Sequence, residues 1–220
     1  VLKGQCIAEA EGFVSVPVHA PSSGKVVAIE NRPIPHQSGL DDLCIVIQTD
    51  DKDAWIETHP RESIDELQPT DLVGIIRGAG IAGMGGAGFP SAVKLSPPPN
   101  TEITTLIINC TECEPYITSD HALLRERYTE LAEGIGILAK ILTPDEVIVG
   151  IEDNKPDIVE NIRLAIANID FKTLTGNSVN CEAVTFPTKY PSGGEKQLIQ
   201  ILTGKEVPSG GPVSYTHLTL

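Results

Sequence analysis

The sequence predicts an α/β protein: a small N-terminal β barrel or sandwich, then a larger domain with a mainly parallel sheet covered by helices. Three observations predict it. Short β-rich runs broken by turn residues fill positions 1 to 58. From about residue 70, apolar runs of strand length alternate with stretches of helical period. The chain has 220 residues, 40% of them hydrophobic and 21% charged, which is enough to bury a core and too apolar for wholesale disorder.

In the first zone Val14–Ala20, Lys25–Glu30 and Leu43–Thr49 read as strands, with Pro21-Ser22-Ser23-Gly24 as a turn. Asp50–Asp53 and His59–Glu62 read as a solvated connector. In the second zone Leu72–Ile76 and Ile103–Asn109 have the length of buried strands. Asp120–Leu142 carries apolar residues at helical spacing, with Thr118 or Ser119 as cap and Thr143-Pro144 as stop. Glu146–Ile151 reads as a strand, Pro156–Ile169 as a helix with proline in its first turn, and Ala183–Phe186 as a strand. A glycine loop then leads to a helix over Glu195–Leu202, closed by Gly204.

Charge excludes some partners. The net charge of −14 argues against nucleic acid and against direct insertion into anionic membranes, both of which need basic patches. No run approaches the roughly 20 apolar residues that span a bilayer. No signal peptide opens the chain, and Val1 in place of an initiator Met is expected of a piece of a longer protein. Five cysteines without framework spacing fit a reducing compartment.

Gly78, Gly80, Gly83, Gly85, Gly86 and Gly88 fall within eleven residues. Such a string lets backbone approach a ligand, and free N–H groups leading into a helix make an anion cradle. Lys94, six residues on, adds a full positive charge to an otherwise acidic chain. The pattern GxGxxG starts at Gly78 and again at Gly83, but an acidic partner about 20 positions on is badly placed for the usual dinucleotide fingerprint. A flexible linker is the bland alternative, and Phe89-Pro90 does not suit one.

Two more loops follow predicted strands, where α/β sheets bind ligands. Asn109, Glu112 and Glu114 can hydrogen-bond a heterocycle or ribose, or can simply form a polar loop. Cys110 and Cys113 form one CxxC, with no second pair to complete a zinc site, so no metal ligands are assigned. Tyr190-Pro191-Ser192-Gly193-Gly194-Glu195 opens the last helix with a Gly-Gly step.

With these residues assembled, the chain resembles the RnfC component of the Rnf (Rsx) ion-translocating electron-transport complex of bacteria. The resemblance runs from Gly4 to Gly211 and rests on Gly85-Gly86-Ala87-Gly88-Phe89-Pro90, Glu112-Cys113-Glu114-Pro115-Tyr116-Ile117-Thr118, Gly150-Ile151-Glu152-Asp153-Asn154-Lys155-Pro156 and Lys189-Tyr190-Pro191-Ser192-Gly193-Gly194. The same loops are similar to the FMN- and NADH-binding subunit of respiratory complex I. Thr111 and Gly194 depart from that subunit, which has acidic residues there. The resemblance implies FMN contacts from Gly83, Gly85, Gly86, Gly88, Lys94, Asn109, Glu112, Tyr190 and Gly193. It places Phe89, Glu114 and Glu195 on the NADH side, and needs no side chain as nucleophile or general base.

The implied organisation is a barrel-sandwich domain over 1–58, an α/β FMN/NADH-binding domain over 59–211 and a non-family tail over 212–220. The barrel-sandwich domain resembles biotinyl and lipoyl carriers, but Ala10-Glu11-Gly12 at its tip offers no acceptor lysine. The implied function is electron entry: electrons pass between NADH and iron–sulfur clusters through FMN, while partner subunits translocate ions. The longer family member is expected to hold two four-iron clusters, whereas these five cysteines lack the run that would bind them. Its place is peripheral, on the cytoplasmic face of the inner membrane, among other subunits of the complex. The rival readings are a soluble NADH dehydrogenase flavoprotein like that of complex I and a non-catalytic scaffold.

Overall fold

A computed structural model of the chain describes all residues except 61–62, 84–87, 113, 208–214 and 220, together with the backbone alone of 215–219. The chain divides into two compact units, residues 1–62 with 78–80, and residues 63–77 with 81–220.

The first unit contains β1 (Cys6–Ala8) paired antiparallel with β2 (Val18–His19), and the hairpin of β3 (Gly24–Pro33) and β4 (Asp41–Thr49). The hairpin is closed at its base by a close backbone approach. A Cβ on Gly24 would lie 2.1 Å from the Gln48 carbonyl oxygen, so glycine is required there. Next to it, buried Ser23 ties the base together. Its hydroxyl donates to Asp50 Oδ1 at 2.6 Å and accepts from the Ala54 N–H at 2.9 Å. Of the strand expected over Val14–Ala20, Val18 and His19 pair, while β1 is an element the sequence does not announce.

The second unit is built on a four-stranded parallel sheet. Its strands are β5 (Thr105–Cys110), β6 (Glu146–Glu152), β7 (Asn180–Phe186) and β8 (Tyr215–Thr219), in the order β7-β6-β5-β8. Every residue of β5 is buried, which explains its unbroken apolar run. Alternate residues feed two cores. Leu106, Ile108, Val147, Val149 and Ile151 pack with Leu124 of α3 (Ser119–Glu126), Ile135 of α4 (Tyr128–Leu142) and Ile158 and Ile162 of α5 (Pro156–Ala167). Ile107 and Phe186 pack instead with Leu198 and Ile199 of α7 (Glu195–Thr203). Helices thus cover both faces, as the strand–helix alternation predicts. Gly150 lets α7 come close: a Cβ there would meet Leu202 at 3.0 Å and both Leu198 and Phe186 at 3.4 Å.

Three expectations are corrected, and one element is new. Leu72–Ile76 is not a strand; it lies in α1 (Pro69–Gly78), where five apolar-rich residues fit a helix as well as a strand. The long helix over Asp120–Leu142 is two, α3 and α4, broken at Arg127, whose φ of −132° and ψ of 32° are not helical. A short helix, α6 (Phe171–Thr175), follows α5 and is capped by Asp170, whose side chain accepts from the Thr173 N–H. The helix after the glycine cluster, α2, is only Ser91–Lys94, because Pro97-Pro98-Pro99 stop it. So short a helix has little macrodipole to offer an anion.

Between the expected connector and α1 the chain is anchored to α4. Lys140 of α4 is buried, and its ammonium donates to the carbonyls of Ile64 at 2.7 Å and Asp65 at 2.8 Å. Among the described residues no helix is long and apolar enough to cross a membrane.

Candidate functional site at the carboxyl ends of the strands

Parallel pairing brings the ends of β5, β6 and β7 to one edge, so the loops that follow them are neighbours. The tie between the outer two is direct. The Asn109 side-chain amide donates to the Gly193 carbonyl at 3.1 Å. Its Oδ1 accepts from the backbone N–H of Thr111 at 3.1 Å and from the Thr111 hydroxyl. Asn109 is therefore a fixed, buried amide at the strand end, joining two of the loops singled out in the sequence.

Glu112 has a structural task. Its carboxylate accepts from the backbone N–H groups of Asp120 at 2.8 Å and His121 at 3.2 Å, and from the Ser119 hydroxyl at 3.3 Å. It caps α3 from outside the helix, where a negative charge also meets the positive end of the helix dipole. Among α3's own residues, Asp120 feels the neighbouring charge. Burial, then Glu112 and Glu114, raise its carboxyl above the ordinary range. His121 reaches across to α5, with Nε2 3.0 Å from both oxygens of Asp157, and this bond holds Asp157 below the ordinary carboxylate range.

Cys110 is fully buried, and desolvation pushes its thiol up to about 12. A neutral buried thiol is a poor nucleophile and a poor redox partner. Cys113, the other half of the CxxC, lies outside the described residues, as do Gly85 and Gly86. Among the described residues, no group of His, Cys, Asp and Glu could hold a metal ion.

The glycine loop is closed at its base. Gly83 N–H donates to the Phe89 carbonyl at 3.0 Å, and Ser91 N–H to the Ile81 carbonyl at 3.0 Å. Gly88 takes a φ of +63°, a conformation that favours glycine. Phe89 is partly exposed beyond it. Lys94 is half-buried and has no ion-pair partner among the described residues. No hydrogen bond or ion pair among the described residues joins Lys94 or Phe89 to the other two loops.

In the third loop Tyr190 is 70% exposed, while Ser192 is buried. Gly194 N–H donates to the Pro191 carbonyl at 2.8 Å and Ser192 N–H to the Lys189 carbonyl at 2.7 Å, which makes the loop tight. Gly194 is the N-cap of α7, and a Cβ there would come within 2.5 Å of Gln197 Oε1 and 3.2 Å of the Pro191 carbonyl. Glu114 and Glu195 are both exposed at this edge.

Sequence reasoning missed one side chain. Glu152, the last residue of β6, is 0% exposed and ion-paired with Lys155 at 2.8 Å. It also accepts from Glu112 N–H at 3.3 Å and from the Ser192 hydroxyl at 3.3 Å. Its signal was a charged pair, Glu152 and Lys155, three apart at a strand end and inside a motif that bears no assigned role.

A fold with helices on both faces of a parallel sheet, and glycine or polar loops gathered at its carboxyl edge, is that of a ligand-binding α/β domain. Residues 76–220 match the family model described as the Nuo51 FMN-binding domain, and residues 1–52 match the RnfC barrel sandwich hybrid domain. The chain belongs to this FMN-binding family, in its RnfC branch. It is 49% identical over 96% of its length to the RnfC-type component of the ion-translocating oxidoreductase complex of Pseudomonas aeruginosa, and 49% identical over 96% to that of Vibrio cholerae. The corresponding protein of Haemophilus influenzae is 46% identical over 96% of the chain. The chain spans 26% of the first two relatives and 30% of the third. Among solved structures, an NAD+-reducing [NiFe]-hydrogenase in the air-oxidized state superposes on 74% of the chain, 30% of its own, with a TM-score of 0.59 and 25% identity. The same enzyme in the H2-reduced state gives a TM-score of 0.60 over 72% of this chain and 29% of its own, at 24% identity.

Proposed function

We propose that the chain is the electron-entry part of an RnfC protein in an ion-translocating complex, binding FMN without a covalent bond at the three loops and accepting electrons from NADH. The carrying observation is the Asn109–Gly193 bond at the carboxyl edge of the sheet, inside a domain of the FMN-binding family. Lys94 suits the flavin's phosphate, since its ammonium has no ion-pair partner among the described residues. FMN, when bound, supplies the conversion between two-electron hydride transfer and one-electron transfer.

The chain's own residues hold and orient. Asn109 presents a fixed amide, Gly83, Gly88 and Gly193 permit close backbone approach, and Tyr190 offers an exposed ring to the same edge. Glu112 serves α3 and, through it, the shape of the loop after β5. Phe89, Glu114 and Glu195 form the NADH side. The two-domain division at 58/59 and the family limit at residue 211 belong to this proposal. So do the two four-iron clusters in the longer protein, the other subunits as partners, and a peripheral place on the cytoplasmic face of the inner membrane.

Titrating the purified chain with FMN, followed by quenching of flavin fluorescence, tests the reading. Saturable one-to-one quenching is expected, and rapid mixing of that complex with NADH should bleach the flavin band. An absence of quenching would remove the flavin site and leave the scaffold reading.

A further inference from the structure

We propose that Glu152 is a positioning residue for the flavin site: its buried carboxylate holds the loops after β5 and β7 in register, and FMN affinity depends on it. The inference rests on the flavin reading above and adds a residue that reading does not use.

Glu152 and Lys155 are 0% and 3% exposed. Burying an ion pair gains little for a fold, and well-packed apolar side chains of similar volume often stabilise as much or more. What apolar residues cannot do is make directed bonds. Glu152 Oε2 accepts from Lys155 Nζ at 2.8 Å and from the Glu112 N–H at 3.3 Å. Its Oε1 accepts from the Ser192 hydroxyl at 3.3 Å. One side chain at the end of the middle strand thus reaches the loops of both flanking strands. Lys155 neutralises the carboxylate and is itself anchored by Asn154 Oδ1 at 3.1 Å.

The bonds act on residues in or beside the loops assigned to the flavin. The single hydroxyl proton of Ser192 is shared between Glu152 Oε1 and the Lys189 carbonyl. Its neighbour Gly193 offers the carbonyl that takes the Asn109 amide at 3.1 Å. On the other side, Glu152 holds the N–H of Glu112, whose carboxylate sets α3. Glu152 therefore acts through Ser192, Gly193 and Glu112, without touching the ligand itself.

The test separates positioning from stability. The double variant Glu152→Met/Lys155→Met removes both charges and the acceptor oxygens together, so no lone charge is left buried and no acceptor is left for Ser192 or Glu112. Its thermal midpoint without FMN should match or exceed that of the parent chain. Its FMN dissociation constant, by fluorescence titration, should rise about tenfold, the counterpart of losing a hydrogen bond to a charged group. Ser192→Ala, which removes one hydroxyl, should weaken FMN by about three- to tenfold with an unchanged midpoint. Ser192→Thr should restore affinity. On the double-variant background Ser192→Ala should cost less than in the parent chain, since the bond to Glu152 is already gone and only that to the Lys189 carbonyl is left to break.

Parent-like FMN affinity in either the double variant or Ser192→Ala overturns the inference while leaving the flavin site intact. Losses that add in full overturn it too, because Ser192 would then act independently of Glu152. Should the double variant not fold, Ser192→Ala and its threonine rescue decide the matter alone. If the parent chain binds no FMN, the flavin reading falls, and the inference with it.

Discussion

Lys94→Ala removes a charge and little packing. An ammonium that has no protein partner among the described residues contributes nothing to the fold through ion pairing, so the thermal midpoint without FMN should stay put. Affinity for FMN should fall by about 1–3 kcal/mol, the cost of a charge-assisted contact to phosphate. Equal fluorescence titrations of parent and variant would place the phosphate elsewhere. Asp120 yields a prediction of the opposite kind. Its carboxyl is raised in the folded state by burial and by Glu112 and Glu114. A raised carboxyl favours the protonated fold, so this group's contribution is fully present below its unfolded value of 3.8 and is lost as pH rises through its folded value. At neutral pH Asp120 therefore strains the fold, and Asp120→Asn should raise the thermal midpoint there. The gain should vanish as pH falls through the ordinary carboxylate range. Asp157 has the reverse sign: held low by His121, it supports the fold above the ordinary range and ceases to as pH falls through its depressed value. At this scale residue type was legible only in part. Asn109 and Lys94 stand out as a polar residue at a strand end and a cation after glycines. Nothing local shows that Glu112 caps α3 or that Glu152 meets Ser192, because both partnerships depend on the folded register.

Among elements, the packing of α7 on the sheet depends on Gly150. A valine there would add branched carbon where a single Cβ already meets Leu202 at 3.0 Å and Leu198 and Phe186 at 3.4 Å. Gly150→Val should lower stability by about 1–3 kcal/mol by overpacking, read as a reduced urea midpoint. Since α7 begins directly after the Tyr190–Gly194 loop, flavin affinity should fall with it. Elements were legible where one physical cause dominated. β5 and β6, buried throughout or nearly so, show short apolar runs at Leu106-Ile107-Ile108 and Val147-Ile148-Val149, and α5 shows both its first-turn proline and its apolar stripe. Leu72–Ile76 misleads because a run of that length fits either period, and the true helix starts earlier, at Pro69. The break at Arg127 leaves no mark, since its apolar spacing continues across the join. The shortness of α2 is legible in Pro97-Pro98-Pro99, three residues past its end.

At the scale of the whole molecule, the proposed electron path is tested through the cysteines. Five cysteines without a cluster-binding run should leave NADH-reduced protein with a bleached flavin and no iron–sulfur signal in low-temperature EPR. Glu114→Gln and Glu195→Gln should slow the bleaching and leave FMN bound. A cluster signal from this chain would overturn the cysteine argument, and unchanged bleaching in both variants would move the NADH side elsewhere. The alternation of strands and helices made the α/β architecture legible. The pairing of β8 beside β5 had no local cue, because parallel strands meet only through long connections. The Asn109–Gly193 bond closes 84 residues of chain, and the Glu152–Ser192 bond closes 40. A ribosome making this protein would thus release β5 and β6 well before the last wall of the site exists. A nascent chain halted ahead of Tyr190 should have β5, β6 and β7 and no grip on flavin, so the site should close only once that loop is made. On the flavin reading, free FMN should draw that closing step forward by mass action, so added FMN should raise the yield of folded protein.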